Sequence, residues 1–378
     1  MHPDVIVVGL GSMGAATAYQ LAARGARVLG LDRFSPPHGR GAHAGGSRII
    51  RLAYAEGSEY VPLLRRAYDL WGAVERETGV DLLTTTGGLM LGTPDSAVVS
   101  GALASARAHG LDQELLDGAE VHRRFPAFTL RDDEAALYDE AAGLVRPELA
   151  IGTYLRLAAA AGAELHYGVA VTGWQAGVDG VTVETSDGEL SAARLVLSPG
   201  AWAPVLLADL GVPFDVQRRV QHYFRTPGRE YTPGRFPIWM WEYGPGVAAY
   251  GLPATDAAGY QGAVKAAFHQ LDDPADPDAG AAPARPAEAA QVRAWLEPRL
   301  PALAVSDWLG GKQCLYTLTP DEHFVLGRHP QHESVAVAAG FSGHGFKFVP
   351  VVGEILADIA LTGTTAHPIE LFAPDRFT

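Results

Sequence analysis

The first thirty residues combine short apolar runs with a glycine-rich break, a pattern that predicts strand, turn, helix and strand in that order. Residues 4–8 form a short apolar strand, and residues 9–14 form a turn with three glycines. Residues 15–24 carry helix formers and end at Gly25, a residue type that often follows a helix. Residues 27–31 then predict the second strand. The start of the chain therefore predicts an α/β fold with parallel strands.

Apolar side chains at helical spacing predict two further helices. Residues 59–78 place Val, Leu, Tyr and Trp three to four positions apart, and Gly79 closes the segment. Residues 272–289 are a mixture of Ala, Pro and Asp without periodicity, which predicts a surface loop. That loop is expected to lead into a helix at 288–296.

Two other regions predict strands. Residues 181–185 and 193–198 are apolar runs, and residues 186–188 between them form a hairpin-type turn signal. The C-terminal part repeats the logic of the start with a strand at 335–339, a glycine-rich turn at 340–345 and a helix at 346–361. The chain is therefore not a purely alternating βα protein.

Composition and charge narrow the class of protein. With 378 residues, 48% apolar and 19% charged, the chain is expected to fold into two structural domains. The net charge of −14 offers no basic field for nucleic acid or anionic lipid, so we expect neither partner. A start without a basic segment or a long apolar run is typical of a cytoplasmic protein. One cysteine, Cys314, excludes an internal disulfide and a multi-thiolate metal site, and we expect no metal.

The glycine turn carries the first chemical motif. Gly9, Gly11 and Gly14 match G-x-G-x-x-G between a strand and a helix, the context in which this motif binds a dinucleotide pyrophosphate. Gly9 permits the turn, Gly11 lets the backbone approach the pyrophosphate, and Gly14 lets helix and strand pack closely. Asp32, at the end of the second strand, is placed to bind ribose hydroxyls and would repel a 2′-phosphate. This motif serves NAD and FAD equally.

Further motifs along the chain carry a resemblance to a known family. They are, in order, 4–14 (DVIVVGLGSMG), 35–38 (SPPH), 47–51 (SRIIR), 60–63 (YVPL), 200–202 (GAW), Cys314 with Tyr316 and Thr317, and 340–348 (GFSGHGFKF). In this order they resemble the monomeric sarcosine oxidase and N-methyltryptophan oxidase family of D-amino-acid-oxidase-like flavoproteins. The resemblance covers nearly the whole chain.

The resemblance implies a fold and a reaction. It implies an α/β protein with a discontinuous, Rossmann-like FAD-binding domain at 1–81, 148–216 and 319–378. The remaining residues, 82–147 and 217–318, would form a substrate domain with a mixed, mostly antiparallel sheet and flanking helices. A monomer is expected, acting on a small-molecule amine and O₂. It would oxidise the secondary amine of an N-methyl or cyclic amino acid to an imine and form H₂O₂, with sarcosine as the default substrate.

The resemblance also implies a set of FAD contacts. These are Gly9, Gly11, Met13, Gly14, Asp32, Arg33, His43, Ser47, Arg48, Val171, Gly200, Trp202, Cys314, Gly343, Gly345 and Lys347. In proteins that look like this one, the cysteine at the position of Cys314 is joined through sulfur to the 8α-methyl carbon of the flavin. From its residue type alone, Cys314 could equally be a small buried apolar residue. The resemblance therefore favours covalent FAD.

Four basic residues resemble parts of the family's catalytic site. Arg51 and Lys347 resemble a clamp for the substrate carboxylate, because a guanidinium offers a directional fork and an ammonium a point charge. Arg48 would lie over the flavin ring and stabilise negative charge on it. Lys265 resembles the residue placed beside the flavin to activate O₂. The alternatives are surface ion pairs for Arg51 and Lys347, a phosphate or structural contact for Arg48, and a solvated strand lysine for Lys265.

The remaining predicted active-site residues are uncharged or titrate near neutrality. Alternation around Lys265 predicts a strand that places Lys265 and His269 on one face. His269 and Tyr250 resemble residues that contact the substrate amine, and Met240 and Tyr316 match positions of the pocket wall. As alternatives, His269 could be a hydrogen-bonded core histidine, and Tyr250 and Met240 could be core residues.

The sequence departs from the family pattern in three places. His43 is followed by alanine where relatives often carry two histidines, which removes one polar contact to the flavin. The segment Trp239-Met240-Trp241 is bulky, and the stretch from Tyr250 to Lys265 is longer than in sarcosine oxidase. We expect these segments to border the substrate pocket.

Three alternative functions stay open from sequence. A nicotinamide-dependent dehydrogenase would use the glycine turn but leave Cys314 and Lys265 without a role. A flavin-dependent tailoring or fructosyl-amine oxidase would share the flavin site and admit a bulkier amine beside Trp239 and Trp241. A binding module that carries FAD without turnover would not need the pair Arg51 and Lys347, and the presence of that pair counts against it.

Overall fold

The computed structural model describes residues 2–377, with the side chain of Ala257 left aside, and has an α/β architecture. The α-helices are α1 (Ser12–Ala23), α2 (Val61–Thr78), α3 (Ala97–His109), α4 (Gly118–Arg124), α5 (Pro147–Ala160), α6 (Ala203–Leu206), α7 (Pro286–Leu296), α8 (Pro301–Ala304) and α9 (Val349–Thr362). The strands are β1 (Val5–Val8), β2 (Val28–Asp32), β3 (Arg48–Ile50), β4 (Leu83–Thr85), β5 (Gly88–Gly92), β6 (Glu114–Leu116), β7 (Ala135–Asp139), β8 (Gly143–Val145), β9 (Glu164–Tyr167), β10 (Val171–Gly177), β11 (Gly180–Thr185), β12 (Gly188–Ala192), β13 (Arg194–Leu197), β14 (Asp215–Arg225), β15 (Ile238–Gly244), β16 (Val247–Ala257), β17 (Tyr260–Phe268), β18 (Trp308–Leu318), β19 (Val325–Arg328) and β20 (Val335–Ala339).

The first of the two large sheets has six strands in the order β19-β20-β13-β1-β2-β9. Its strands are parallel except for β19, which pairs antiparallel with β20 at one edge. Helices α1, α5 and α9 pack together on one face, and the small antiparallel sheet β10-β11-β12 covers the other. Strands β1, β2 and β20 are buried along their whole length and β13 is buried from Leu195 onward, so they are mostly apolar without alternation, as parallel strands between two layers usually are.

The second large sheet has eight strands in the order β18-β14-β17-β16-β15-β5-β7-β6. All its neighbours are antiparallel except β15 and β5. This is the mixed, mostly antiparallel sheet predicted from the resemblance, so the predicted fold class is confirmed. A fourth sheet, small and antiparallel, consists of β3, β8 and β4 and joins segments from both predicted domains. The predicted domain limits themselves stay a prediction.

Most predicted elements are confirmed with small shifts at their ends. Helix α1 begins at Ser12, three residues earlier than expected, so part of the glycine turn belongs to its first turn. Single 3₁₀ turns precede α2 and α9, at Ser58–Tyr60 and Phe346–Phe348. Helix α7 begins at Pro286, two residues earlier than expected, because proline is favourable in the first turn.

One predicted hairpin is wrong. The turn at 186–188 joins β11 to β12, which sequence reasoning did not identify, and the predicted second strand is β13, which pairs parallel with β1 in the other sheet. The strand β12 is short and largely solvent-exposed, so it lacks the apolar run that marked β13. The turn signal was therefore assigned to the next apolar segment along the chain.

The expected place of the two tryptophans of β15 is also wrong. Trp239 and Trp241 are fully buried on the face that packs under α7, where Trp295 stacks on Trp239. Met240 lies on the opposite face, because successive side chains of a strand point to opposite sides. Of this segment, Met240 is thus the side chain available to a pocket on that side.

Among the described residues, no helix is long and apolar enough to span a bilayer.

Candidate active site

A cleft opens where the carboxyl ends of the parallel strands meet. The residues that follow β1, β2, β13 and β20 form its walls, as expected for the crevice of an open parallel sheet. Of the predicted FAD contacts, those that line it are Gly9, Gly11, Met13, Asp32, Arg33, His43, Arg48, Val171, Gly200, Trp202, Gly343 and Gly345. Gly14, Ser47, Cys314 and Lys347 lie outside this lining.

The glycine turn leaves a concave surface of backbone N–H groups. A Cβ on Gly14 would overlap the carbonyl oxygen of Gly9, so close contact between helix and strand requires glycine there. A Cβ on Gly11 would meet no protein atom nearer than 4.0 Å, so that position faces the cleft. Helix α1 has no side-chain cap and no acidic residue in its first turn. Its N-terminus is therefore free to bind an anion.

Asp32 organises the turn from the end of β2. One carboxylate oxygen accepts a hydrogen bond from the backbone N–H of Leu10 at 2.8 Å, and the other accepts from Phe34 at 2.8 Å. The carboxylate thus fixes two segments of the cleft wall while lining the cleft itself. The side of the carboxylate that lines the cleft is available to accept hydrogen bonds from a ribose.

The predicted surface loop at 272–289 reaches this end of the cleft. Asp278 pairs with Arg33 and accepts a hydrogen bond from the indole of Trp202 at 3.0 Å. Arg33 and Trp202 were both predicted as FAD contacts, and the loop joins them through a single carboxylate. It therefore forms part of the cleft rim.

Cys314 is 1% exposed and lies on β18. Tyr316, two positions further, lines the cleft, and residues two apart on a strand share a face. Cys314 therefore points to the cleft side of the sheet. Directly opposite it on β14 is Arg219, whose guanidinium lies 5.1 Å from the ring centroid of Tyr316.

Arg48 and Lys265 are joined by one glutamine. The ammonium of Lys265 donates hydrogen bonds to the carbonyls of Gly45 at 2.8 Å and Ser47 at 2.7 Å, and to Oε1 of Gln221 at 2.8 Å. The same Oε1 accepts a hydrogen bond from Arg48 at 3.1 Å. Burial, with the charge of Arg48, holds the pKa of Lys265 well below its usual range. Two cations thus lie beside the cleft at short range.

Arg51 and Glu56 form a second charged group. Nη2 of Arg51 lies 2.8 and 2.7 Å from the two carboxylate oxygens, and Nη1 donates to the carbonyl of Ala53 at 2.7 Å. Burial favours the neutral acid, but Arg51, through its charge and its hydrogen bonds, and the nearby Lys347 and His344 together outweigh burial and lower the pKa of Glu56 to about 2. The thioether of Met240 is 3.7 Å from Nη2. Arg51 is therefore not the surface residue that the alternative interpretation required.

Lys347 lies close to this ion pair. Its ammonium donates to the carbonyl of His344 at 2.6 Å and to the hydroxyl of Tyr54 at 3.2 Å. Burial, together with the charge of Arg51, lowers its pKa to about 7, while Glu56 acts in the opposite direction. The charge of Lys347 is thus set to change close to neutral pH.

His269, Tyr250 and Tyr316 form an uncharged group between the cations. Nδ1 of His269 lies 3.2 Å from the hydroxyl of Tyr316, and the ring of Tyr250 stands edge-on to the imidazole. Burial lowers the pKa of His269 to about 4, so the ring is neutral at pH 7. Burial likewise raises the pKa of Tyr250, so its phenol stays protonated. Tyr250 lies opposite Met240 in the sheet register, which places both on the same face.

Several residues of this site escaped sequence reasoning. Gln221 and Arg219 lie on β14, a strand that is polar in sequence yet buried along nearly its whole length. A buried polar strand is a signal of function, because unpaired polar groups are costly inside a protein. Glu56 and Glu148 gave no such signal, because an acidic residue in a loop or at a helix start is common.

Comparison with known proteins identifies the class. Residues 4–359 match the family model described as FAD dependent oxidoreductase (DAO), so the chain belongs to that family. Among curated relatives, monomeric sarcosine oxidase of Streptomyces avermitilis is 50% identical over 376 residues, covering 99% of this chain and 97% of the relative. N-methyl-L-tryptophan oxidase of Salmonella dublin is 36% identical over 384 residues, covering both chains fully (100% each).

A solved structure shares the whole fold. NikD, described as an unusual amino acid oxidase essential for nikkomycin biosynthesis, superposes with a TM-score of 0.84 at 30% identity, covering 99% of this chain and 97% of that one. Membership of an FAD-dependent family assigns FAD as the cofactor and disfavours the nicotinamide alternative. The cleft fits that assignment, because an uncapped helix N-terminus faces it and Gly11 leaves room for a pyrophosphate.

Proposed function

We propose that the protein oxidises the secondary amine of a small N-methyl or cyclic amino acid, with O₂ as the electron acceptor. The observation that carries the proposal is the pair of buried cations, Arg51 and Lys347. Both are close enough to His269 for their charges to lower its pKa, and the neutral ring of Tyr250 packs against His269. A carboxylate would be bound by the cations and an amine by the neutral side chains. A small amino acid presents both groups a few ångströms apart.

When bound, FAD would act as the two-electron acceptor: the carbon beside the amine nitrogen would lose a hydride and the nitrogen a proton, and the two electrons would pass with two protons to O₂, giving H₂O₂. The residues of the chain fix the geometry for that transfer. Arg51 and Lys347 hold the substrate carboxylate, which converts a bimolecular encounter into a fixed approach. Hydrolysis of the imine product would then give the demethylated amine and an aldehyde, or an opened ring.

The neutral side chains suit an uncharged amine. With a pKa of about 4, His269 carries no charge at pH 7 that would repel or protonate the substrate nitrogen. The phenol of Tyr250 is protonated and can donate a hydrogen bond. Met240, next to Arg51, sets the size of the group that fits beside the carboxylate.

Arg48 and Lys265 act on the side of the cleft where O₂ reacts. Both donate to Oε1 of Gln221, so their positions are coupled. A fixed cation stabilises the negative charge that develops when an electron passes to O₂. Lys265 is therefore assigned to the reaction with O₂, and Arg48 to the charge on the ring system.

We further propose that FAD is attached through Cys314. Its side chain is buried, faces the cleft side of β18 and lies opposite Arg219. Joining the sulfur to the 8α-methyl carbon would release the thiol proton and one proton of the methyl group and would leave two electrons, which O₂ would accept with those two protons to give H₂O₂. We also propose that the protein is a monomer and acts in the cytoplasm.

The alternative of a tailoring or fructosyl-amine oxidase loses its sequence argument. That argument placed Trp239 and Trp241 beside a bulkier amine, and both lie in the core under α7. The test of the proposed function is a panel of sarcosine, N-methyltryptophan, proline and fructosylglycine added to the yellow protein without O₂. Bleaching by sarcosine or proline, with H₂O₂ formed when air is admitted, is the expected result. Bleaching by fructosylglycine alone would overturn the proposal.

A further inference from the structure

Within residues 2–377, no carboxylate is in direct contact with the ammonium of Lys265. Its three hydrogen bonds go to two backbone carbonyls, of Gly45 and Ser47, and to the side-chain amide of Gln221. An ammonium has three donors, so the set is complete. The side chain is 2% exposed, so these neutral acceptors replace water around a charge that burial disfavours. Its counter-charge must act from further away.

That counter-charge lies on the other side of the turn at 45–47. Glu148, the second residue of α5, accepts hydrogen bonds from the N–H of Gly45 at 2.8 Å and of Gly46 at 3.0 and 3.1 Å. The carbonyls of the same turn point to Lys265. Peptide dipoles are thus aligned between an anion and a cation, and each end stabilises the other. Tyr223 adds a hydrogen bond to the carbonyl of Gly45 at 2.7 Å.

Gln221 has a fixed orientation in this network. Its amide nitrogen donates to the carbonyl of Ala44 at 2.9 Å, so Oε1 is turned to Lys265 and Arg48. Gly45, at φ +116°, allows the close approach, because a Cβ there would overlap the amide of Gln221. The amide oxygen therefore sets the separation of the two cations.

We propose that Glu148 is a positioning residue that keeps Lys265 charged and in place through the 45–47 turn, and that Gln221 holds Lys265 and Arg48 at a fixed separation. The inference rests on the proposed role of Lys265 in the reaction with O₂. It adds two residues that act through their hydrogen bonds to the 45–47 turn, to Lys265 and to Arg48.

The charges around Lys265 support this assignment. Burial lowers its pKa, Arg48 lowers it further, and Glu148 and an anionic Cys314 act against both. The ring of Tyr223 lies 5.7 Å away and carries no charge, because burial raises its pKa. If Cys314 is joined to FAD, its sulfur is a neutral thioether. Glu148 is then the remaining anion among these groups.

The lysine content of the chain permits a direct measurement. The sequence contains three lysines, Lys265, Lys312 and Lys347, of which Lys312 is exposed. Lysine labelled with ¹³C at the ε carbon would give three NMR signals in the oxidised holoenzyme, each reporting the charge of one side chain. Lys312 serves as the reference signal, and Lys347 as an internal control for a buried lysine outside this network.

The expected result is specific to one signal. Glu148→Gln lowers the titration midpoint of Lys265 by about one pH unit and leaves that of Lys347 unchanged. Glu148→Asp, which keeps the charge, retains the midpoint, and the exposed-site control Glu189→Gln has no effect. Gln221→Leu lowers the midpoint of Lys265, whereas Gln221→Glu raises it. The pH at which the O₂ rate constant falls follows the same shifts.

Three outcomes would overturn the inference. The midpoint of Lys265 could stay unchanged in Glu148→Gln, it could move together with that of Lys347, or Lys265 could be neutral at every accessible pH in the wild type. The measurement needs no turnover, so its failure differs from failure of the proposed function. Failure of the proposed O₂ role of Lys265 would instead show as normal O₂ kinetics in Lys265→Met.

Discussion

Arg51 and Glu56 form a buried ion pair, with Nη2 of the arginine 2.8 and 2.7 Å from the two carboxylate oxygens. The chain thus supplies a carboxylate to the guanidinium that we assign to the substrate carboxylate. Arg51 already binds one carboxylate, that of Glu56. The carboxylate of a substrate must therefore either displace Glu56 from Arg51 or bind Arg51 together with it. Five predictions follow from this site and its surroundings.

Replacing Arg51 should weaken binding of acids selectively. We expect Arg51→Ala to raise KM for an N-methyl amino acid by about 100-fold, because a charge-assisted bidentate contact is lost. A secondary amine without a carboxylate should lose much less. Steady-state kinetics with the two substrates separate these effects, and Arg107→Ala, at an exposed position of α3, is the matched control. An equal loss for both substrates would contradict the clamp.

The charge of Lys347 predicts a pH dependence. Its pKa is about 7, lowered first by burial and then by Arg51, so the ammonium is charged below pH 7 and loses its charge as the pH rises. Binding of a short carboxylate such as propionate should therefore be strongest near pH 6 and weaken by about tenfold toward pH 9. Titration of the flavin spectrum measures this. In Lys347→Met the affinity should be low at every pH, and a wild-type affinity that does not change with pH would exclude the assignment.

Lys265 and Lys312 provide a matched pair for the O₂ step. We expect Lys265→Met to slow reoxidation by O₂ about 100-fold or more, with anaerobic bleaching by substrate largely retained. Lys312→Met removes an exposed lysine and should change neither step. Stopped-flow mixing of the reduced enzyme with O₂ decides the question. A normal rate of reoxidation in Lys265→Met would contradict the assignment of Lys265 to the reaction with O₂.

Cys314 predicts how the cofactor leaves the protein. Acid precipitation of the wild type should keep the yellow colour in the pellet, and Cys314→Ala should release it to the supernatant. Because the cleft is formed by other residues, the variant should still bind FAD reversibly. A yellow supernatant from the wild type would support a flavoenzyme but would contradict covalent attachment through Cys314.

Neighbouring residues of β15 predict opposite phenotypes. Trp241→Ala should lower the free energy of unfolding by about 3–5 kcal/mol, because it removes a fully buried indole from the core under α7. Its substrate preference should stay the same. Met240→Ala should fold well and accept a bulkier substituent on the carbon that bears the carboxylate, since its side chain lies beside Arg51. Thermal unfolding and the amine panel measure both effects, and a changed panel in Trp241→Ala would place that indole in the pocket after all.

Local patterns were enough to predict the parts of the fold that local chemistry determines. The strand, glycine turn and helix at each end of the chain were predicted with shifts of up to three residues at the helix ends, because glycine and proline mark the ends of elements. The strand that carries Lys265 followed from alternation. The exposed strand β12 was missed because its residues lack an apolar run.

The site was only partly predictable, because its groups come from distant segments. Lys265 and Gln221 are 44 positions apart, and Gly45 and Glu148 are 103 apart. Nothing in the local sequence of Glu148 distinguishes it from any acidic residue at a helix start. The face of β15 that meets the pocket also depends on a partner, since Trp295 on α7 decides which side is core.

The scarcity of lysine has a practical side. Two of the three lysines are buried beside the cleft, and their side chains are 2% and 5% exposed. Amine-directed reagents that acylate lysine would thus find Lys312 as the accessible lysine, on the same strand as Cys314. An electrode or bead that couples through lysine would hold the enzyme by that strand, so immobilised molecules would share one orientation and keep the two buried ammonium groups unmodified.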